Sequence, residues 1–169
     1  MYSGYELFEG VAVRPGSEEY LDSEKYQYRP RDYLAADAEG TSLTPYLTKL
    51  NQFRRGHPAL QQLRNLTFHP TDDEYILAYS KSARGPDGTS ANSPDTVLTV
   101  VNLDPHGPRE TMLHLDLAAV GLATGDQCLV TDEFTGETWT WGEHNYVRLD
   151  PFREPGHLLT LRRTGPGPR

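Results

Sequence analysis

The stretch Thr96-Val97-Leu98-Thr99-Val100-Val101-Asn102-Leu103 decides the fold class. Side chains alternate across a strand, so Val97, Thr99, Val101 and Leu103 share one face and Leu98 and Val100 the other. Both faces carry apolar residues, which predicts a central strand covered on both sides. Working outward, shorter runs at 74–80, 110–117, 127–133, 137–141, 145–149 and 157–162 repeat the period. In 110–117, Leu113, Leu115 and Leu117 face one way and Met112, His114 and Asp116 the other, as in a half-solvated antiparallel strand. Asp132-Glu133-Phe134-Thr135-Gly136-Glu137 reads as a hairpin connection with Gly136 available for positive φ. Lys81 to Pro94, rich in Gly, Ser, Pro and Asp, reads as a long exposed loop. Seven short strands in this spacing predict a mainly β chain, an antiparallel β-sandwich over 61–163. Its expected core is Leu77, Val97, Val101, Leu113, Leu115, Val130, Val147 and Leu159.

The first 65 residues differ in kind. Six of the ten tyrosines lie within the first 33 residues, and residues 1–40 carry nine carboxylates against four basic side chains. Leu43, Tyr46, Leu47, Leu50 and Phe53 fall at three-and-four spacing, the stripe of an amphipathic helix. Pro45 suits its first turn, Ser42 or Thr44 its cap, and Gly56 and Pro58 its end. After Arg163 the Thr-Gly-Pro-Gly-Pro-Arg tail is expected to be disordered.

Composition narrows the function classes. With 24 Asp and Glu against 16 Lys and Arg, the net charge of −8 argues against nucleic acid and anionic lipid as partners. No run approaches the ~18–20 apolar residues of a membrane span. No basic-then-apolar leader is visible at the N-terminus. The single cysteine, Cys128, excludes an intramolecular disulfide and suits a reducing compartment, so a cytoplasmic location is expected.

No complete catalytic set is legible, so no catalytic residue is assigned. The chain has no Gly-x-Ser-x-Gly elbow, P-loop or Gly-x-Gly-x-x-Gly. His57, His69, His106, His114, His144 and His157 lack metal-ligand spacing, so neither metal nor cofactor is expected. Cys128 has no activating neighbour and reads as a buried, inert thiol. The segment Tyr20-Leu21-Asp22-Ser23-Glu24-Lys25-Tyr26-Gln27-Tyr28-Arg29-Pro30-Arg31-Asp32-Tyr33 interleaves tyrosines with charges. It is either a solvated loop or a surface for a sugar phosphate, with tyrosine faces for pyranose rings and cations for phosphate. Trp139 and Trp141, two apart on one strand face, either stack a sugar or cap a core or interdomain contact.

Three N-terminal stretches carry a resemblance: Tyr2-Ser3-Gly4-Tyr5-Glu6-Leu7, Leu21-Asp22-Ser23-Glu24-Lys25-Tyr26-Gln27 and Leu50-Asn51-Gln52-Phe53-Arg54-Arg55-Gly56-His57-Pro58-Ala59-Leu60. They look like the end of an α-amylase-type catalytic barrel. Val100-Val101-Asn102-Leu103-Asp104-Pro105-His106, Asp132 to Gly142 and Asn145-Tyr146-Val147-Arg148-Leu149-Asp150-Pro151 continue the likeness. Over about residues 1–160 the chain resembles the C-terminal part of the maltose-1-phosphate maltosyltransferase family of the α-amylase superfamily. The Arg-Arg-x-His-Pro-Ala-Leu pattern is shared widely among amylase relatives. The Ser-Glu-Lys-Tyr-Gln segment and the sandwich motifs are more specific.

The resemblance implies that residues 1–60 are the last strand, loop and helix of a (β/α)8 barrel: strand 1–7, loop 8–40, helix 43–55. Residues 61–163 would be the appended sandwich and 164–169 the tail. It implies a parent enzyme that transfers maltosyl from α-maltose 1-phosphate to the non-reducing end of an α-1,4-glucan with retention, releasing phosphate. The family's catalytic carboxylates would lie upstream of Met1, so this chain alone is expected to be inactive. Lys25 and Tyr26 match the family's Lys-Tyr pair at the donor, and the resemblance implies a substrate-binding role for both. A homodimer is likewise implied. The competing expectation is a free-standing carbohydrate-binding or interaction sandwich, for which a barrel strand and helix would have no use.

Overall fold

The computed structural model describes residues 4–21, 28–83 and 95–163. The chain divides into two compact units, Met1–Arg54 and Arg55–Arg169.

In the first unit, Gly4 sits at φ 101° and opens a 3-10 turn over Tyr5–Leu7. A strand was expected at 1–7, but described residues 4–7 close on themselves, with Leu7 N–H donating to Gly4 O at 3.0 Å. A barrel strand takes its hydrogen bonds from neighbouring strands, and without them the backbone satisfies itself locally. A short ladder follows: Ala12 bridges Tyr20, Val13 N–H donates to Glu19 O, and Leu21 N–H to Val11 O. The stretch expected as loop contains helix α1, Tyr33–Glu39. Asp32 caps it by accepting from Ala35 N–H at 2.9 Å, and Gly40 ends it at φ 70°. Helix α2 spans Thr44–Gly56, as its stripe predicts. Leu43 O accepts the first helical bond, from Leu47 N–H, so the N-cap position falls on Leu43 and on neither Ser42 nor Thr44; Ser42 Oγ, one residue earlier, accepts the Thr44 N–H at 3.0 Å. Leu43, Leu47, Leu50 and Phe53 are half-buried and Tyr46 is exposed. Among the described residues of this unit no apolar side chain is buried, and Phe8, Val11, Tyr28 and Leu34 stand well exposed.

The second unit is a two-sheet antiparallel sandwich. Its described residues form β1 Leu66–His69, β2 Ile76–Ser82, β3 Thr96–Asn102, β4 Arg109–His114, β5 Cys128–Asp132, β6 Thr138–Trp141, β7 His144–Leu149 and β8 Gly156–Arg163. One sheet has six strands in the order β1-β2-β3-β8-β5-β6; the other pairs β4 with β7. β3 lies between β2 and β8, the central position its two apolar faces predict. Leu98, Val100, Leu113, Leu115, Val130, Val147 and Leu159 meet in the core, and Leu117, Val120 and Leu122 fill it from the β4–β5 connection. His114 is half-exposed on β4, opposite the leucine face.

Two expected core residues are displaced. Leu77 and Val101 are cross-strand partners and only half-buried, while Ile76 and Ala78 take the inner face of β2. Bulk favours Leu77 and Tyr79 for the inside, but the inner face needs small side chains where His69 enters. His69 is 4% exposed, and its Nε2 lies 2.8 Å from Ser80 Oγ. His69 belongs to β1, which the alternation analysis did not find. Leu66 and Phe68 point to solvent and only His69 is buried, so the strand's apolar period marks the wrong face.

The 3-10 turn at Pro58–Gln61 is fastened to the sheet by two side chains. Asn65 Nδ2 donates to Ala59 O and Ser82 O, and Asp95 accepts from Ala59 N–H at 2.7 Å and meets His57 Nδ1 at 2.6 Å. Lys81 is not in the long loop but on β2, where its ammonium donates to Gln62 O. Loop residues 84–94 and the tail 164–169 lie outside the described residues. The hairpin at 132–137 forms as expected, with Gly136 at φ 79°.

Candidate functional site

Lys25 and Tyr26 lie outside the described residues, but the segments flanking them are defined. On the N-terminal side Leu21 is tied to Val11 by a 2.7 Å backbone hydrogen bond. On the C-terminal side Arg31 donates two 2.9 Å hydrogen bonds to the Glu9 carboxylate, and Arg29 lies 3.6 Å from the same group. Residues 21 and 31 are thus anchored two positions apart, at Val11 and Glu9. The Arg31 fork holds the Glu9 carboxyl below the usual carboxylate range, against a smaller opposing effect of desolvation.

A second constellation lies in the sandwich. Trp139 and Trp141 share one face of β6, as expected: Trp141 is buried in the core and Trp139 is half-buried against it. The Trp139 indole meets the His157 ring at 5.3 Å between centroids, inclined by 56°. His157 Nδ1 is 2.8 Å from Oδ2 of Asp132, whose side chain is fully buried. The other oxygen, Oδ1, accepts from Phe134 N–H at 2.9 Å and Leu158 N–H at 3.4 Å. Burial opposes ionisation of Asp132, but these donors outweigh it and keep its pKa below the normal value. Glu154 moves the other way: burial first, then the Asp132 charge, raise its pKa. Trp139, Trp141, His157 and Glu154 border a cleft of about 440 Å3 with Tyr146, Arg148 and Asp150.

Sequence spacing did not single out Asp132, Glu154 and His157. Their potential ligand atoms lie within 4.8 Å of one another, so these are the residue types and distances a metal ion requires. Both Asp132 oxygens are nevertheless already engaged by protein donors. The three residues come from the end of β5, the β7–β8 connection and β8, so only strand pairing assembles them.

The remaining histidines act structurally. His69 Nδ1 accepts from Asp116 N–H at 3.1 Å, so its proton sits on Nε2 and is donated to Ser80; burial lowers its pKa despite the attraction of Asp116. His114 Nδ1 lies 2.9 Å from His144 Nδ1 across β4 and β7, and its Nε2 2.8 Å from Asp72. Cys128 is buried and its thiol is pushed up to about 11 by desolvation, as befits an inert residue.

Two antiparallel sheets closed over one apolar core define the larger unit as a β-sandwich module. The family described as "GLGE, C-terminal" matches residues 68–161, and the chain belongs to that family. It is 53% identical over 161 residues to the α-1,4-glucan:maltose-1-phosphate maltosyltransferase of Corynebacterium glutamicum, covering 95% of this chain and 23% of that protein. The enzyme of the same name from Mycolicibacterium smegmatis is 52% identical, over 95% of this chain and 22% of its own. The maltosyltransferase 2 of Streptomyces coelicolor is 51% identical, over 96% and 23%. The chain thus spans about a quarter of the length of these relatives. Among the described residues no helix is long and apolar enough to cross a membrane.

Proposed function

We propose that this chain is the C-terminal portion of a retaining transferase. The parent moves maltosyl from α-maltose 1-phosphate to the non-reducing end of an α-1,4-glucan and releases phosphate. The observation that carries this is the identity of 53% with a maltosyltransferase, sustained over 95% of the chain rather than over the sandwich alone. Residues 1–60 are then the closing elements of the catalytic barrel and 61–163 its appended sandwich. The first unit supports that division: its described apolar side chains include none that is buried, as for a piece whose packing partners lie elsewhere. The catalytic carboxylates of the double displacement belong to other parts of the parent.

Lys25 and Tyr26 bind the donor in this reading. An ammonium offsets the phosphate charge as it leaves, and a phenol donates a hydrogen bond beside it. The flanking residues support this reading: Leu21 is bonded to Val11 and Arg31 to Glu9. The lone thiol is in keeping with a cytoplasmic parent, and homodimerisation comes with the family reading.

The test is a chimera in which residues 1–163 replace the aligned segment of the Corynebacterium glutamicum enzyme. Phosphate release from maltose 1-phosphate with glycogen as acceptor is expected. A chimera that melts cooperatively but releases no phosphate overturns the proposal. The 169-residue chain by itself is expected to release none.

A further inference from the structure

Among the described residues of the sandwich, clefts of different chemistry compete for a ligand. One of about 500 Å3, lined by Thr96, Cys128 and Arg162 among others, has no aromatic side chain. One of about 690 Å3 is lined by Tyr75 and Tyr146, but the Arg109 guanidinium covers the Tyr75 ring at 4.3 Å and the Tyr146 hydroxyl donates to Glu110 at 2.6 Å. Arg109 is held there by Asp104 at 2.7 Å and Asp73 at 3.7 Å, so the Tyr75 ring is occupied internally. The third, of about 440 Å3, has both tryptophans of the chain and Tyr146 in its wall.

We infer that the cleft walled by Trp139 and floored by His157 and Glu154 is an accessory binding site for a neutral α-1,4-glucan chain. The inference rests on the proposed function for the choice of sugar. The cleft itself argues for the ligand class. A binding site for a small neutral ligand combines apolar and aromatic walls with a few fixed polar groups. Trp139 is half-buried and backed by the core, so an indole is presented on a rigid support. His157 sits beside it, its ring oriented by the buried Asp132 carboxylate, which accepts a hydrogen bond from Nδ1–H and leaves Nε2 for another partner. Half-buried Glu154 lines the cleft beside His157, and its carboxyl oxygens are acceptors for hydroxyls. Exposed Arg148 and half-exposed Asp150 add a donor fork and an acceptor at the rim.

Charge decides between ligand types. Three carboxyl side chains and two arginines line the cleft, a near balance that favours neither an anion nor a cation. A sugar phosphate would place its charge against the carboxylates, whereas vicinal hydroxyls pair with both kinds of group. The role assigned to the cleft is to hold acceptor glucan.

Both tryptophans of the chain border the cleft, so intrinsic fluorescence reports on it directly. Maltoheptaose titrated into the 169-residue chain should shift the emission and saturate, and glycogen in a native gel should retard the chain. By calorimetry, Trp139→Ala should weaken maltoheptaose binding at least ~tenfold, the loss of a stacking contact worth roughly 1.4 kcal/mol. Arg148→Ala, at an exposed position where folding is not at stake, should weaken it severalfold. Arg64→Ala, exposed and away from the cleft, should leave it unchanged. Absence of saturable binding overturns the inference. So does binding that survives Trp139→Ala and Arg148→Ala, or maltose 1-phosphate binding more tightly than maltoheptaose and yielding to inorganic phosphate. The assay contains no catalytic step. A failure here leaves the chimera result standing, and an inactive chimera leaves this binding measurable.

Discussion

Asp132, with no exposed side-chain surface, accepts from His157 Nδ1 at 2.8 Å and from the Phe134 amide at 2.9 Å, and so links the β5–β6 hairpin to β8. Removing it leaves several buried donors without a partner. Asp132→Ala should cost about 3–5 kcal/mol of stability, the range for breaking a buried pair on one side. Asp132→Asn should cost less, because its carbonyl still serves Phe134, although its amide now faces the His157 N–H. Urea unfolding measures both; two variants as stable as the parent chain would show that this pair carries no stability.

The pKa of Asp132 is depressed in the folded chain, so its contribution is complete above the unfolded carboxylate value of about 3.9 and is lost as pH falls through the folded value. His69 acts in a higher window. Its folded pKa is also lowered, by burial, so the unfolded chain binds a proton that the folded chain refuses. Stability should therefore fall as pH drops below about 6.5, at up to ~1.4 kcal/mol per pH unit for this one proton. Urea midpoints between pH 7.5 and pH 5 test it. His69→Gln should flatten that part of the profile, whatever it does to the plateau. An unchanged slope would assign the acid sensitivity elsewhere.

Gly156 opens β8 opposite Val101, and a Cβ there would stand 2.9 Å from the Val100 carbonyl oxygen. That oxygen is backbone in the central strand and cannot swing away. Gly156→Ala should destabilise the sandwich by about 1–3 kcal/mol, the usual cost of overpacking. Gly125→Ala meets no neighbour but holds φ at 85°, so its cost comes from backbone strain alone. A thermal melt of each separates crowding from conformation.

Cys128 should resist alkylation. With the thiol at about 11 and the side chain buried, almost no thiolate exists at pH 8. Iodoacetamide should leave the folded chain unmodified for hours and label it fully in urea. Rapid labelling without denaturant would mean that the pairing of β5 with the edge strand β6 opens readily.

For the donor site, Lys25→Ala in the full-length parent should weaken donor use by about 1.5–3 kcal/mol, the range for hydrogen bonds to charged groups. That is roughly ten- to a hundredfold in kcat/KM. A contact equal in ground and transition states raises KM alone; one that strengthens as phosphate departs also lowers kcat. Lys25→Arg should rescue only in part, and Tyr26→Phe should cost less than Lys25→Ala. Lys81 does not serve as a silent control, because its ammonium is engaged by the Gln62 carbonyl. Exposed Arg64 takes that place. Kinetics of Lys25→Ala equal to those of Arg64→Ala would remove Lys25 from the donor site.

Local pattern determined strands β2 to β8, helix α2 and the sandwich class. Alternation at Thr96–Asn102 reported a strand covered on both faces, and β3 is central because each face meets its own set of neighbours. The stripe from Leu43 to Phe53 reported α2, and Gly136 reported the hairpin, since both depend on residues close in sequence. What pattern could not reach was any choice made between distant segments. β1 is a strand because β2 offers it a partner, and Leu77 faces outward because His69 needs the space beside Ser80. The 3-10 turn at Tyr5–Leu7, where the resemblance implies a strand, is closed by hydrogen bonds to Gly4 and Tyr5 carbonyls within the segment itself. Asp132, Glu154 and His157 are ordinary residues in sequence, separated by a hairpin and two strands. The pairing of β5 with β8 brings them together; burial raises the pKa of Glu154, while the hydrogen bonds that Asp132 accepts outweigh burial and lower its own.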